Sequence, residues 1–120
     1  MSHYTATGLT RLVNAARYSW QGLVATFKHE AAFRQECLLL AVATPFALWL
    51  GDSVGERLIL IASIVVLMVV ELLNSAVESV VDRVSDEHHA LSGRAKDQGS
   101  AAVLLTVVLV IATWLVVALS

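Results

Sequence analysis

The sequence predicts an all-α membrane protein, a single domain over residues 1–120 made of one amphipathic surface helix followed by three transmembrane helices. Three observations predict it. Of the 120 residues, 58% are hydrophobic and only 15% charged, too apolar for a soluble domain of this size. The apolar residues are gathered into three blocks near the length of a membrane crossing. Ahead of them lies a segment whose apolar residues recur every three or four positions between basic ones.

That segment, "TGLTRLVNAARYSWQGLVATFKHE", spaces Leu9, Val13, Ala16, Trp20 and Phe27 along one helical face, with Arg11, Asn14, Arg17, Gln21 and Lys28 between them. The pattern predicts a helix over about 6–29 lying on the membrane, with Tyr18 and Trp20 at headgroup depth. A helix packed on a soluble partner has the same pattern; the apolar remainder of the chain favours the membrane.

The first span is placed at 31–50. It contains Pro45, which a transmembrane helix tolerates where neighbouring groups re-satisfy the freed carbonyl. The second is placed at 56–83 and the third at 95–119, each reaching the roughly 20 residues a hydrocarbon core demands. Trp49 and Trp114 read as interfacial or packing aromatics. The N-terminal "MSHYTATGLTR" has neither the basic and apolar regions of a signal peptide nor a myristoylation glycine, so the membrane address is expected in the spans themselves.

Arg11, Arg17, Lys28 and Arg34 precede the first span, and Arg83, Arg94 and Lys96 flank the connection between the second and third. Only Arg57 lies near "GDSVGE". Basic residues stay inside, so the N-terminus and the "SDEHHALSGRAKD" connection are expected in the cytoplasm and the C-terminus outside. A formal net charge of -2 argues against a nucleic-acid partner. Cys37, the only cysteine, excludes an intrachain disulfide.

The feature that composition alone leaves unexplained is "VVELLNSAVESVVDR", an apolar run carrying Glu71, Asn74, Glu78 and Asp82. Glu71, Asn74 and Glu78 stand at i, i+3 and i+7 and share a helical face, with Ser75 and Asp82 near the same stripe. Counted from Arg57 at 1.5 Å per residue, Glu71 lies about 21 Å and Glu78 about 31 Å along the helix, both near the cytoplasmic border of a roughly 30 Å core. Ionisable residues inside a span are costly and mark function by default. The bland alternative is helix glue, for which Asn74 and the small pair Ser75 and Ser79 are better suited than two glutamates. The glutamates are about 10.5 Å apart along the axis, which favours separate roles over joint chelation from one helix.

Other polar residues fall at the same depth. Glu30 and Glu36 bracket "AAFRQ", with Arg34 between them as a neutraliser of either. A hard cation such as Mg²⁺ takes one or two carboxylates plus phosphate oxygens, which makes Glu30 with Glu78 a sparse candidate site. Arg94 and Lys96, next to a helix start, suit phosphate. The His88 and His89 pair lacks the partners of a zinc motif, and no Walker loop, GxGxxG, HRD or DFG is present.

The segments "EAAFRQE", "VELLNSAVESVVDR" and "LSGRAKDQGSAAV", in that order and spacing, closely resemble the small integral-membrane diacylglycerol kinases of bacteria, and the likeness runs from "GLTRLVNAARYSWQGL" to "TWLVVAL". The resemblance implies a homotrimer of three-span subunits in the bacterial inner membrane, with the active site on the cytoplasmic side. It implies transfer of the ATP γ-phosphate to diacylglycerol, with Mg²⁺ as cofactor and phosphatidic acid as product. Carried over by position, Glu71 matches the catalytic base, with Asn74 beside it, and Glu30 and Glu78 match the metal ligands. Arg11, Tyr18, Glu30, Glu78, Glu87, His88, His89, Lys96 and Asp97 match nucleotide positions. Arg11, Ala15, Ala16, Tyr18, Ser19, Trp20, Arg34, Gln35, Glu36, Glu71, Ser100 and Trp114 match positions at the lipid substrate. Arg17 and Cys37 replace smaller residues, and His88 stands where an aromatic is common.

A related group phosphorylates undecaprenol, and the extent of the match favours diacylglycerol. A small proton-coupled transporter would also carry intramembrane acids, though nearer mid-bilayer. A purely structural assembly subunit leaves Lys96 and Asp97 unexplained.

Overall fold

A computed structural model describes residues 7–84 and 90–120. They form four helices: α1 (Gly8–His29), α2 (Ala31–Leu50), α3 (Val54–Val84) and α4 (Ala90–Leu119). The all-helical architecture expected from the hydropathy pattern is present, and α2, α3 and α4 are each long and apolar enough to cross a membrane.

No residue of α1 is buried. Leu9, Leu12, Val13, Trp20 and Phe27 remain exposed, an apolar face suited to lipid. The helix ends where Glu30 adopts extended backbone (φ -118°, ψ 110°) while its N–H still donates to Thr26 O at 2.8 Å. One non-helical residue therefore separates α1 from α2.

α2 carries Pro45 within its length. Just before the proline, Thr44 Oγ1 donates to Leu40 O at 2.6 Å. Phe33, Ala43 and Ala47 are its buried residues, and the two alanines, one turn apart, let α2 approach α3 closely.

The turn after α2 follows from its sequence. Ser53 Oγ accepts from Glu56 N at 3.1 Å, and Glu56 Oε1 accepts from Asp52 N at 3.0 Å, which is capping-box chemistry one position wider than usual. Arg57 Nε donates to Gly51 O at 3.1 Å. Gly51 is required here by close approach: a β-carbon would lie 2.6 Å from Arg57 Cγ and 2.9 Å from Arg57 N.

α3 is the central helix, packed on both α2 and α4. Its buried residues, Leu60, Ser63, Ile64, Leu67, Glu71 and Ser75, follow the three-and-four spacing of one stripe. α4 buries only Thr106 among the described residues, and Leu104, Leu105, Val108, Leu109 and Ile111 are exposed. Without a hydrophobic drive between helices in lipid, such faces are stable against acyl chains or further helices alike.

α4 begins at Ala90, where the hydropathy pattern places the third span from about 95. Ala90, Leu91, Arg94, Ala95 and Lys96 are strong helix formers and outweigh the single Gly93. Lys96 consequently lies inside the helix. Arg94 and Lys96 lie within the first two turns of α4 as it is described.

Candidate functional site

The polar stripe of α3 is built as its spacing requires. Glu71 is 7% exposed, so the folded chain by itself covers this carboxylate. Asn74 Nδ2 donates to Glu78 Oε1 one turn further on, at 3.4 Å. Asn74 Oδ1 is buried and accepts no hydrogen bond. Opposite it, Gly99 of α4 leaves room for the amide, and a β-carbon there would strike Asn74 Oδ1 and lie 3.1 Å from Cγ.

Toward the C-terminal end of α3, Lys96 Nζ pairs with Asp82 Oδ1 at 2.7 Å. Lys96 precedes Gly99 by three residues, about 4.5 Å of helix, and Glu78 follows Asn74 by four, about 6 Å, so in antiparallel helices Lys96 and Glu78 stand at nearly one level. The ammonium feels the charge of Glu78 as well as that of Asp82. Asp82 was visible in the sequence only as a member of the stripe; its complementarity to Lys96 at matched depth was the signal for the pair.

A second group of acids converges from the other side. Glu71 interacts electrostatically with Glu30, Glu78 and Glu36, so four carboxylates from α2, α3 and the α1–α2 join share one region. One Glu36 oxygen is buried and accepts no hydrogen bond. Among the described residues no three acids, histidines or cysteines come close enough to chelate an ion. The acids are thus near enough to repel without forming a cluster of three or more ligands. That donor set fits Mg²⁺ arriving with phosphate oxygens, which needs only one or two carboxylates from the protein.

Beside them runs a crevice of about 550 Å³ between α1 and α3, bordered by Ser19, Gly22, Thr26 and Glu30 on one wall and Leu72, Ser75 and Ser79 on the other. Ser75 is 8% exposed, and its hydroxyl is buried with no partner. The serine pair, which the spacing suggests as close helix packing, lines this opening instead; the tight contact is Gly99 against Asn74.

The other residues singled out in the sequence are distributed as follows. Arg11, Ala15, Ala16, Ser19 and Trp20 are exposed along α1. Tyr18 is half-buried beneath the Arg17 guanidinium, 5.8 Å from the ring centre. Gln35, Asp97 and Ser100 are exposed. Arg34 gives its Nη1 hydrogens to Phe27 O at 2.7 Å and Lys28 O at 3.0 Å, backbone partners that sequence reasoning did not anticipate when it set Arg34 between two glutamates. Glu87, His88 and His89 lie outside the described residues.

Trp114 lies apart from the polar cluster. Its Nε1 donates to Ser63 Oγ at 3.3 Å, and that hydroxyl donates to Leu60 O at 2.7 Å. Ser63 precedes Asn74 by eleven residues, about 16 Å along α3. Here Trp114 borders an apolar groove of about 400 Å³ with Leu39, Val42, Phe46, Ile64 and Val110.

The chain was compared with known proteins. Residues 17–118 match the family model for prokaryotic diacylglycerol kinase. The diacylglycerol kinase of Escherichia coli strain K12 is 52% identical over 108 residues, covering 90% of this chain and 88% of that one. The diacylglycerol kinase of Haemophilus influenzae is 50% identical over 111 residues, covering 92% and 94%. That of Helicobacter pylori strain 26695 is 37% identical over 109 residues, covering 91% and 85%.

Proposed function

The chain belongs to the prokaryotic diacylglycerol kinase family, and from that premise we propose that it moves the γ-phosphate of ATP onto the free hydroxyl of diacylglycerol at the cytoplasmic border of the bilayer, giving phosphatidic acid. The observation that carries the reading is the buried Glu71, one turn below the Asn74–Glu78 pair and within electrostatic reach of Glu30.

In this reading the Glu71 carboxylate takes the hydroxyl proton as the lipid oxygen bonds to the γ-phosphorus and the bond from that phosphorus to the β,γ-bridging oxygen breaks. Asn74 orients Glu78 by donating to its Oε1. Glu30 and Glu78 would hold Mg²⁺, which would supply positive charge against the phosphate oxygens. Lys96 supplies a further positive charge at the level of Glu78. Arg11, Tyr18 and Asp97 belong to the nucleotide side, together with Glu87, His88 and His89. Ser19, Trp20, Gln35, Glu36 and Ser100 border the lipid headgroup. The groove beside Trp114 takes acyl chain deeper in the bilayer, which lets a residue remote from the acids still serve the same substrate.

The excess of Arg and Lys around α1 and between α3 and α4 supports a cytoplasmic site in the inner membrane. The sparsely buried α4 supports assembly with further copies, a homotrimer in the family pattern. The test is purified protein in mixed micelles with ATP, Mg²⁺ and either diacylglycerol or undecaprenol. Phosphatidic acid should form, and Glu71→Gln should abolish it while leaving the oligomer intact. No transfer to diacylglycerol would overturn the reading; transfer to undecaprenol alone would move the chain to the related specificity.

A further inference from the structure

Glu30 occupies a demanding position. It is the single residue between α1 and α2, its backbone is extended, and it lines the crevice shared with Ser75 and Ser79. A carboxylate in such a place points wherever the two flanking helices direct it, so its aim depends on what fixes their angle.

One side chain does so. The last carbonyls of a helix have no partner within it, and at the end of α1 two of them, Phe27 O and Lys28 O, accept from Arg34 Nη1 at 2.7 and 3.0 Å. Arg34 also belongs to α2, and its backbone N–H donates to Glu30 O at 3.3 Å. The same residue thus bonds both to the end of α1 and to the Glu30 carbonyl itself. The guanidinium places positive charge at the negative end of the α1 dipole, which strengthens the arrangement. Thr26 O accepts from Glu30 N at 2.8 Å and completes the frame.

We propose that Arg34 is the positioning residue for Glu30: by tying the C-terminus of α1 to the first turns of α2 it holds the Glu30 carboxylate at the crevice in the orientation that receives the metal-bound nucleotide. This rests on the reading that Glu30 is a metal ligand. It gives Arg34 a role distinct from contact with lipid and from neutralising Glu36, because its Nη1 is engaged by backbone carbonyls. Groups that orient a metal ligand typically alter metal affinity by on the order of 10-fold or more when removed.

The experiment compares Arg34→Met, Arg34→Lys, Glu30→Gln and the double variant Glu30→Gln/Arg34→Met in the full-length protein. Binding of Mn²⁺ with a non-hydrolysable ATP analogue is followed by electron paramagnetic resonance, and the KM for diacylglycerol is measured in the active variants. Arg34→Met should weaken Mn²⁺ binding on the order of 10-fold and leave the lipid KM unchanged. Arg34→Lys, which keeps the charge and can reach one carbonyl, should recover most of the loss. On the Glu30→Gln background, Arg34→Met should add nothing. A raised lipid KM with unaltered Mn²⁺ binding would overturn the proposal and make Arg34 a lipid contact. Equal effects of Arg34→Met with and without Glu30 would overturn it while leaving Glu30 as a ligand. Unaltered Mn²⁺ binding in Glu30→Gln would instead overturn the ligand reading itself. If Arg34→Met does not assemble, Arg34→Lys with and without Glu30→Gln gives the same comparison: a smaller weakening confined to the Glu30 background supports the proposal, and no such weakening overturns it.

Discussion

Gly99 of α4 lies against the side-chain amide of Asn74 of α3, with no space between them for a methyl group. Since Asn74 donates to Glu78, a backbone position on one helix sets the posture of two polar residues on the other.

Gly99→Ala should therefore cost stability and rate together. Overpacking of this kind costs about 1–3 kcal/mol. A displaced Asn74 no longer holds Glu78, and misplacement near 1 Å lowers rates by up to on the order of 100-fold. Adding Asn74→Ala should restore the thermal midpoint in detergent but leave turnover low. Full activity in Gly99→Ala would show that the amide has room the structure does not give it.

The Lys96–Asp82 pair separates stability from chemistry. Both side chains are well exposed, at 46% and 65%, and exposed pairs contribute about 0–1 kcal/mol. Asp82→Asn should barely shift the unfolding midpoint. Lys96→Met should be equally mild on unfolding but, on the proposed reading of Lys96 as a phosphate-facing charge, should raise the KM for ATP strongly. Equal kinetic losses in the two variants would show that Lys96 acts only through its pairing with Asp82.

Trp114→Phe removes the hydrogen bond to Ser63 while keeping an aromatic ring. Interhelical hydrogen bonds in membranes average about 0.6 kcal/mol, so the stability loss should be small. If the neighbouring groove takes acyl chain, Trp114→Ala should change the preference between short-chain and long-chain diacylglycerols, whereas Trp114→Phe should not. Identical chain-length profiles in all three proteins would remove the groove from the substrate path.

Ser53→Ala removes the acceptor of Glu56 N at the start of α3. Loss of an N-cap hydroxyl costs about 1 kcal/mol. The turn lies at the end of α3 remote from Glu71 and Glu78, so thermal stability should fall with kcat and both KM values unchanged. A kinetic effect would reveal coupling along the whole length of α3.

Hydropathy and spacing made the spans readable, because a lipid-crossing segment must be long and apolar and little else competes with that requirement. The i, i+3, i+7 stripe of Glu71, Asn74 and Glu78 was readable for an equally local reason, the fixed periodicity of the helix. What the sequence did not yield depends on register between helices. Gly99 has a reason only once α4 is set beside Asn74, and Asp82 acquires a partner only when Lys96 reaches its depth. That residues 90–94 are helical is hard to read because Gly93 and the charged residues look like a loop until helix propensity is summed across them. Arg34 was misread toward carboxylates because two glutamates are near it in sequence, while the carbonyls it chooses are not written in side chains at all.

The break at Glu30 also makes α1 a lever with its fulcrum at one residue. With 22 residues, the arm is about 33 Å long at 1.5 Å per residue, so a 10° tilt sweeps its tip through about 6 Å. Arg11, near that tip, travels almost the full arc; the Glu30 backbone, at the pivot, keeps its place while its side chain turns with the angle. A membrane that thins, thickens or bends beneath the arm therefore changes what the far end can reach, and the Arg34 bonds to Phe27 O and Lys28 O are what resist the swing at the pivot.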